Sequence, residues 1–251
     1  MKTIATFSFR RVLLLMQKTL AENAKFVGSG LLSIFAVYSI VIFLDVINSG
    51  NSWMFMDVFY VLGFLFGGFF VSGMAFSKLR TKEKSISFLT LPASVFEKFI
   101  SELILTTLGF ILLYTSIFLI FNALIYWIAP ESNPAGFVDL TNPRMLEIFK
   151  IYIIIQSIFL VGAATFRRVP LFYTGFAIFV VSLSLIFFGA MLFFYLQDFG
   201  GENEGFDAGK HYFESTFWKS MLFTIPKFIF YNLLAPIFWA TAYYKIKEKE
   251  V

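Results

Sequence analysis

Cysteine is absent from the 251-residue sequence, so disulfides, thiol nucleophiles and thiolate metal sites are excluded. Histidine occurs once, at His211, with no metal-ligating constellation around it. No glycine-rich loop ends in Gly-Lys-Ser/Thr, so the chain has no phosphate cradle of that kind and does not hydrolyse ATP by that route. Charge is scarce. Asp, Glu, Lys and Arg make up 14% of the residues, against roughly a quarter in soluble domains. A water-soluble globule of this length would need more charge to cover its outside. The alternation of apolar and polar residues that marks a membrane barrel is missing as well.

What is present is apolar and runs in long blocks, 59% of the chain, with 37 phenylalanines. An unpaired backbone amide costs several kcal/mol in hydrocarbon, so a chain solvated by lipid spans it as helices or as a closed barrel. The expectation is an all-α polytopic membrane protein. Six segments approach or exceed the roughly 20 residues a span requires: 26–47, 53–76, 103–129, 149–166, 171–196 and 223–244. The fourth is the shortest and is expected to borrow a turn on its outer side, near Lys150. Pro170 fits the first turn of the fifth, and Pro226 and Pro236 are expected to kink the sixth.

The basic residues orient these segments. With both termini in the cytoplasm, 15 of the 20 Lys and Arg residues fall inside; the inverted topology leaves five there. The formal charge of +4 therefore speaks to loop placement rather than to nucleic acid. No cleavable signal is expected, since Arg10 and Arg11 interrupt the N-terminal stretch. The outer connections are 48–52, 130–145 and the acidic, glycine-rich 197–219, in which 212–218 reads as a short interfacial helix.

Three regions frame the spans. Residues 1–25 hold a helical stripe of Phe9, Val12, Leu13, Met16 and Leu20, with Arg10, Arg11, Gln17, Lys18 and Glu22 largely off it. That pattern predicts an amphipathic helix in the inner headgroup layer, its basic residues toward anionic lipid, or else an extension of the first span. Residues 26–244 form the transmembrane domain, and 245–251 a charged tail. Within the domain, the connection 77–102 reads SKLRTKEKSISFLTLPASVFEKFISE. It starts basic, turns amphipathic, breaks near Pro92, and restarts at Ser94 with Glu97 three residues on, a capping box. Two short helices are expected there, the second running into the third span.

A basic stretch with Glu83, an apolar run Phe88-Leu89 to Leu91-Pro92, then Ser94 and a helix with Lys98, resembles permease subunits of type-2 ATP-binding-cassette exporters. The amphipathic start, six spans, cytoplasmic ends and Ala242-Tyr243-Tyr244 before the charged tail resemble them too. The Gly-Thr often found after the acidic residue is replaced by Lys84-Ser85-Ile86. The resemblance implies that this loop docks on a cytoplasmic ATPase subunit, which would bind ATP and Mg. Phe88, Leu89, Leu91 and Phe96 would be apolar knobs around Pro92, and Glu83, Lys84, Glu97 and Lys98 a charged rim. It further implies a second permease copy or a homologue, and residence in the inner membrane. The other reading of the loop is a plain connection.

Gly63, Gly67 and Gly68 give the second span a small-residue face, with Gly63 and Gly67 at GxxxG spacing. Such a face packs within the bundle, or serves a dimer seam or substrate path. Asp45, Asp57 and Lys227 lie near outer span ends, within reach of interfacial water, and matching depth suggests an Asp57–Lys227 ion pair. Asn122, Gln156 and Asn232 are expected as interhelical hydrogen-bond donors. The function expected is a transporter permease subunit. A non-transporting scaffold of a larger complex is the alternative. An intramembrane enzyme lacks the paired carboxylates, Ser/His pair or metal cluster it would need at membrane depth.

Overall fold

The structure, a computed structural model, describes residues 7–47, 53–79, 82–128, 143–199 and 225–249. All regular structure among them is helical. In chain order the elements are α1 (Phe9–Glu22), α2 (Ala24–Ile47), α3 (Trp53–Met74), a 3-10 turn (Ser77–Leu79), α4 (Lys82–Leu89) and α5 (Val95–Ile104). A π-turn (Leu105–Gly109), α6 (Phe110–Ile128), α7 (Pro143–Thr165), α8 (Pro170–Phe199), α9 (Ile225–Asn232) and α10 (Leu234–Lys249) follow. The expected outer connections lie wholly or largely outside the described residues, as do the 212–218 helix and His211.

Among the described residues, three helices are long and apolar enough to cross a membrane: Val95–Leu124, Met145–Thr165 and Pro170–Tyr195. A fourth crossing is available if α1 and the start of α2, bent by 65° at Asn23, count as one span. The chain is thus a helical protein built for insertion into a membrane. Proline sets several boundaries. Pro143 and Pro170 open α7 and α8, where a missing amide costs nothing. α7 therefore starts six residues before the span read at 149–166, supplying the extra turn expected near Lys150. Pro236 cannot donate to Asn232, and the segment read as a sixth span accordingly breaks between α9 and α10 at Leu233.

Two apolar clusters stack along the bundle. One is aromatic: Tyr38, Tyr60, Phe64, Phe110, Tyr114, Phe118, Phe121 and Tyr152, with Met145. Its hydroxyls find partners, as burial in an apolar site requires. Tyr114 donates to the Tyr60 carbonyl (3.1 Å), so at the 2.8 Å contact between the two hydroxyls Tyr38 donates to Tyr114. The glycines of α3 make room for these rings. A Cβ on Gly63 would strike the Tyr114 hydroxyl, one on Gly67 would sit 3.3 Å from the Phe110 ring, and one on Gly68 would enter the ring of Tyr152. Each small residue is a socket for a particular aromatic side chain of a neighbouring helix, which lets the backbones approach in a solvent where packing drives association. The second cluster joins Phe76, Leu79, Phe88 and Phe99 to Leu160, Ala163, Ala164, Ala242 and Ile246. Phe76 enters it in a left-handed conformation (φ 54°), turning the chain out of α3, and its ring stacks on Phe99.

α8 stands apart. Its start packs against α3 and α7, where Cβ atoms on Gly73 and Gly162 would collide with Leu171 and Thr174. From residue 179 to 195 every side chain is exposed, and nearly all are apolar.

Candidate functional site

The 77–102 connection folds as two short helices, α4 and α5, meeting at a corner around Pro92. The capping box is present at both bonds. Ser94 Oγ accepts from the Glu97 amide (3.2 Å), and Glu97 Oε2 accepts from the Ser94 amide (2.8 Å). This satisfies two amides that the start of a helix otherwise leaves orphaned. α5 then continues through the π-turn into α6, so the corner is the tip of one long apolar helix.

Glu97 does more than cap. Its side chain is fully buried, and Oε1 also accepts from the Ser8 amide (2.7 Å) and from Arg11 Nη2 (2.8 Å), with Arg11 Nε at 3.0 Å. Ser8 is the N-cap of α1 and makes no side-chain cap of its own. One carboxylate therefore closes the starts of two helices and holds a guanidinium in a charge-assisted fork. Further along α1, Lys78 of the 3-10 turn bonds Glu22 (2.7 Å) and Thr19 (3.2 Å), and Thr19 donates to the buried Glu102 (3.3 Å).

These contacts change the expected role of several residues. Glu97 and Lys98 were expected on an exposed charged rim; they are 0% and 1% exposed. Charge at this depth is retained only when paired, and Glu97 is paired with α1, while the Lys98 ammonium lies 5.5 Å from the centre of the Phe88 ring. Phe88, expected as a docking knob, is itself buried, with Lys78 on it as well (5.9 Å). Arg11 was expected to face lipid and instead faces Glu97. Leu91 is half-buried against the second cluster. Outward at the corner stand Ile86 (63% exposed), Pro92 and Phe96 (47% exposed). Phe96 is wedged edge-on between Phe7 and Tyr243, at ring separations of 5.9 and 6.0 Å. Glu83, Lys84 and Leu89 lie on α4, their side chains outside those described, as are the side chains of Asp57 and Lys227.

The same end of the bundle carries the α7–α8 turn with Arg167 and Arg168, both exposed, and the end of α10. Lys249 donates to the Ala164 carbonyl (2.5 Å), capping the last turn of α7. Burial, then the charges of Arg167 and Lys245, hold its pKa below the ordinary lysine range. Among the described residues no three His, Asp or Glu groups gather as a metal site. No family model, curated protein or solved structure matches the chain.

Sequence reasoning missed Arg11, Ser8, Phe7 and Lys78 as parts of this corner. Arg11 and Glu97 are 86 positions apart, and no local pattern pairs them. The one available hint is that the capping glutamate follows a stretch rich in basic residues, Lys78 to Lys84. Gln156 bridges helices as expected, donating to Thr106 Oγ1 (2.9 Å). Asn232 does not: its amide turns back on the Phe228 carbonyl one turn earlier in α9 (3.0 Å).

Proposed function

We propose that this chain is the permease subunit of an ATP-binding-cassette exporter. It crosses the inner membrane six times with both termini in the cytoplasm, and works with a second copy or a homologue. Cytoplasmic ATPase subunits, which bind ATP and Mg, drive it. The crossings are α2, α3, α5 with α6, α7, α8, and α9 with α10. The gathering of basic residues at the α1, α4–α5 and α10 end supports that orientation.

One observation carries the reading: the capped α4–α5 corner presents Ile86, Pro92 and Phe96 outward from the tip of a continuous apolar helix. A motor needs such a handle, capped at its corner and apolar at its tip, so that a push is passed along the helix rather than lost in a loop. Since the chain has no phosphate-binding loop ending in Gly-Lys-Ser/Thr, this reading assigns ATP hydrolysis to a separate subunit. Of the knobs read from the sequence, Phe96 keeps an outward face, Leu91 lies at its edge, and Phe88 supports them from beneath.

The test is affinity purification of the tagged chain from native membranes. An ATPase subunit should copurify, and Leu91→Ala with Phe96→Ala should weaken its retention roughly thirtyfold, as truncating interface anchors worth about 2 kcal/mol does. A complex without an ATPase, or one indifferent to both substitutions, assigns the chain to the scaffold role instead.

A further inference from the structure

The helix that begins at the corner is not α-helical throughout. At Leu105–Gly109 it widens into a π-turn, with the Phe110 amide bonded to the Leu105 carbonyl five residues back. A π-turn is equivalent to one extra residue in an α-helix, and such turns are rare and concentrate where a helix must change shape. Here it is supported from two directions. Within the helix, the Thr106 hydroxyl donates to the Glu102 carbonyl (2.8 Å) and that of Thr107 to Leu103 (2.6 Å). Both hydroxyls thus bond back to carbonyls one turn earlier, at the entry to the π-turn, a pattern that bends helices. From outside, Tyr152 of α7 donates to the Thr106 carbonyl (2.5 Å) and Gln156 Nε2 donates to Thr106 Oγ1 (2.9 Å). Trp239 Nε1 of α10 in turn donates to Gln156 Oε1 (3.3 Å). Tyr152 and Gln156 are fully buried, and the Tyr152 ring occupies the socket at Gly68. Four helices therefore converge on Thr106.

We propose that this π-turn is a hinge between the corner segment Val95–Ile104 and the helix beyond it, held in its present form by a latch of Tyr152, Gln156 and Trp239. The geometry gives the hinge a defined stroke. Relaxing the turn to α-helix shifts the register by one residue, which rotates the corner segment by about 100° about its axis and moves it about 1.5 Å along it. A Cα on the helix surface then travels about 3.8 Å, the spacing of adjacent Cα atoms, and Glu97 swings away from Arg11. The Arg11–Glu97 clamp and the Thr106 latch consequently favour the same state, one from each end of α5. Releasing either weakens the hold on the π-turn. The inference concerns the motion available to the chain and stands whether or not an ATPase is the partner that uses it.

Because the chain has no cysteine, a spin-label pair can be placed at Thr90→Cys and Val169→Cys, both exposed, in the full-length protein in phosphatidylethanolamine/phosphatidylglycerol bilayer discs. Double electron–electron resonance should give one narrow distance in the parent. Gln156→Leu and Tyr152→Phe should each add a second component, shifted by ~4 Å, the size of that stroke, and Ser184→Ala, whose hydroxyl bonds within α8, should not. Trp239→Phe, at a half-buried position, gives the same reading if the buried variants fail to fold. Deleting the exposed Leu108 from a latch variant removes the extra residue and should abolish the second component. A single unchanged distance in the folded latch variants overturns the proposal, as does a second component that survives the deletion.

Discussion

Glu97 shows how one side chain can be visible in a sequence and still be misread. Ser94 and Glu97, three apart before an apolar run, announce a helix start, and both capping bonds are in place. The same spacing also suggests a solvated charge, because caps are usually at the surface. What it omits is Arg11, which reaches the carboxylate from the other side of the corner and allows it to be buried. Breaking a buried ion pair by removing one partner costs about 3–5 kcal/mol. Arg11 is 35% exposed and water can partly replace it, so Arg11→Ala should lower stability by about 2 kcal/mol. Lys18→Ala removes a 3.8 Å pair with Glu22 in which both side chains are 40% or more exposed, and should change stability by less than about 0.5 kcal/mol. Unfolding of the two variants in the same detergent, followed by helical circular dichroism, checks the contrast. Equal effects would mean that Glu97 is held by its backbone donors alone.

At the scale of elements, the helices were legible because lipid-length apolar blocks and prolines leave few choices. The breaks at Asn23, Leu233 and the π-turn were less so. Pro236 foretold one of them, since a missing amide is a local property. The π-turn is bonded at Thr106 by Tyr152 and Gln156, residues about fifty positions away, and no short window of sequence contains both sides. The glycines of α3 fall between these cases. Their spacing marks a close-packing face, while their particular partners come from α6 and α7. That difference can be measured. Gly68→Ala places a methyl group inside the Tyr152 ring and should cost about 1–3 kcal/mol as overpacking. Gly28→Ala meets nothing within 4 Å and should be neutral or stabilising by up to about 1 kcal/mol, because alanine is the better helix former. Pairing Gly68→Ala with Tyr152→Leu should recover part of the loss, whereas Tyr152→Phe, which keeps the ring, should not.

For the whole molecule, charge bears on the number of crossings more directly than hydropathy does. Among the described residues, three helices satisfy length and apolarity by themselves and a fourth does so with a bend. α3 is described at side-chain level mostly over its apolar Tyr60–Met74 part, and α9 and α10 are each too short alone. The six crossings proposed require the broken pair α9–α10 to act as one span; a proline break at membrane depth is tolerated where neighbours shield the backbone. The even count also puts Lys78, Arg167 and Lys247 on one side. Substituted-cysteine labelling decides it, again without background in a cysteine-free chain. In right-side-out vesicles a membrane-impermeant maleimide should label His211→Cys and leave Thr90→Cys and Glu248→Cys unmodified until the membrane is opened. If Glu248→Cys and His211→Cys share a side, α9–α10 does not cross, and the count falls to an odd number. The C-terminus would then lie opposite the α4–α5 corner, even though Phe96 touches Tyr243 and Lys249 caps α7. Those two contacts tie the end of α10 to the corner, and they support the proposed crossing by α9–α10 that the labelling tests.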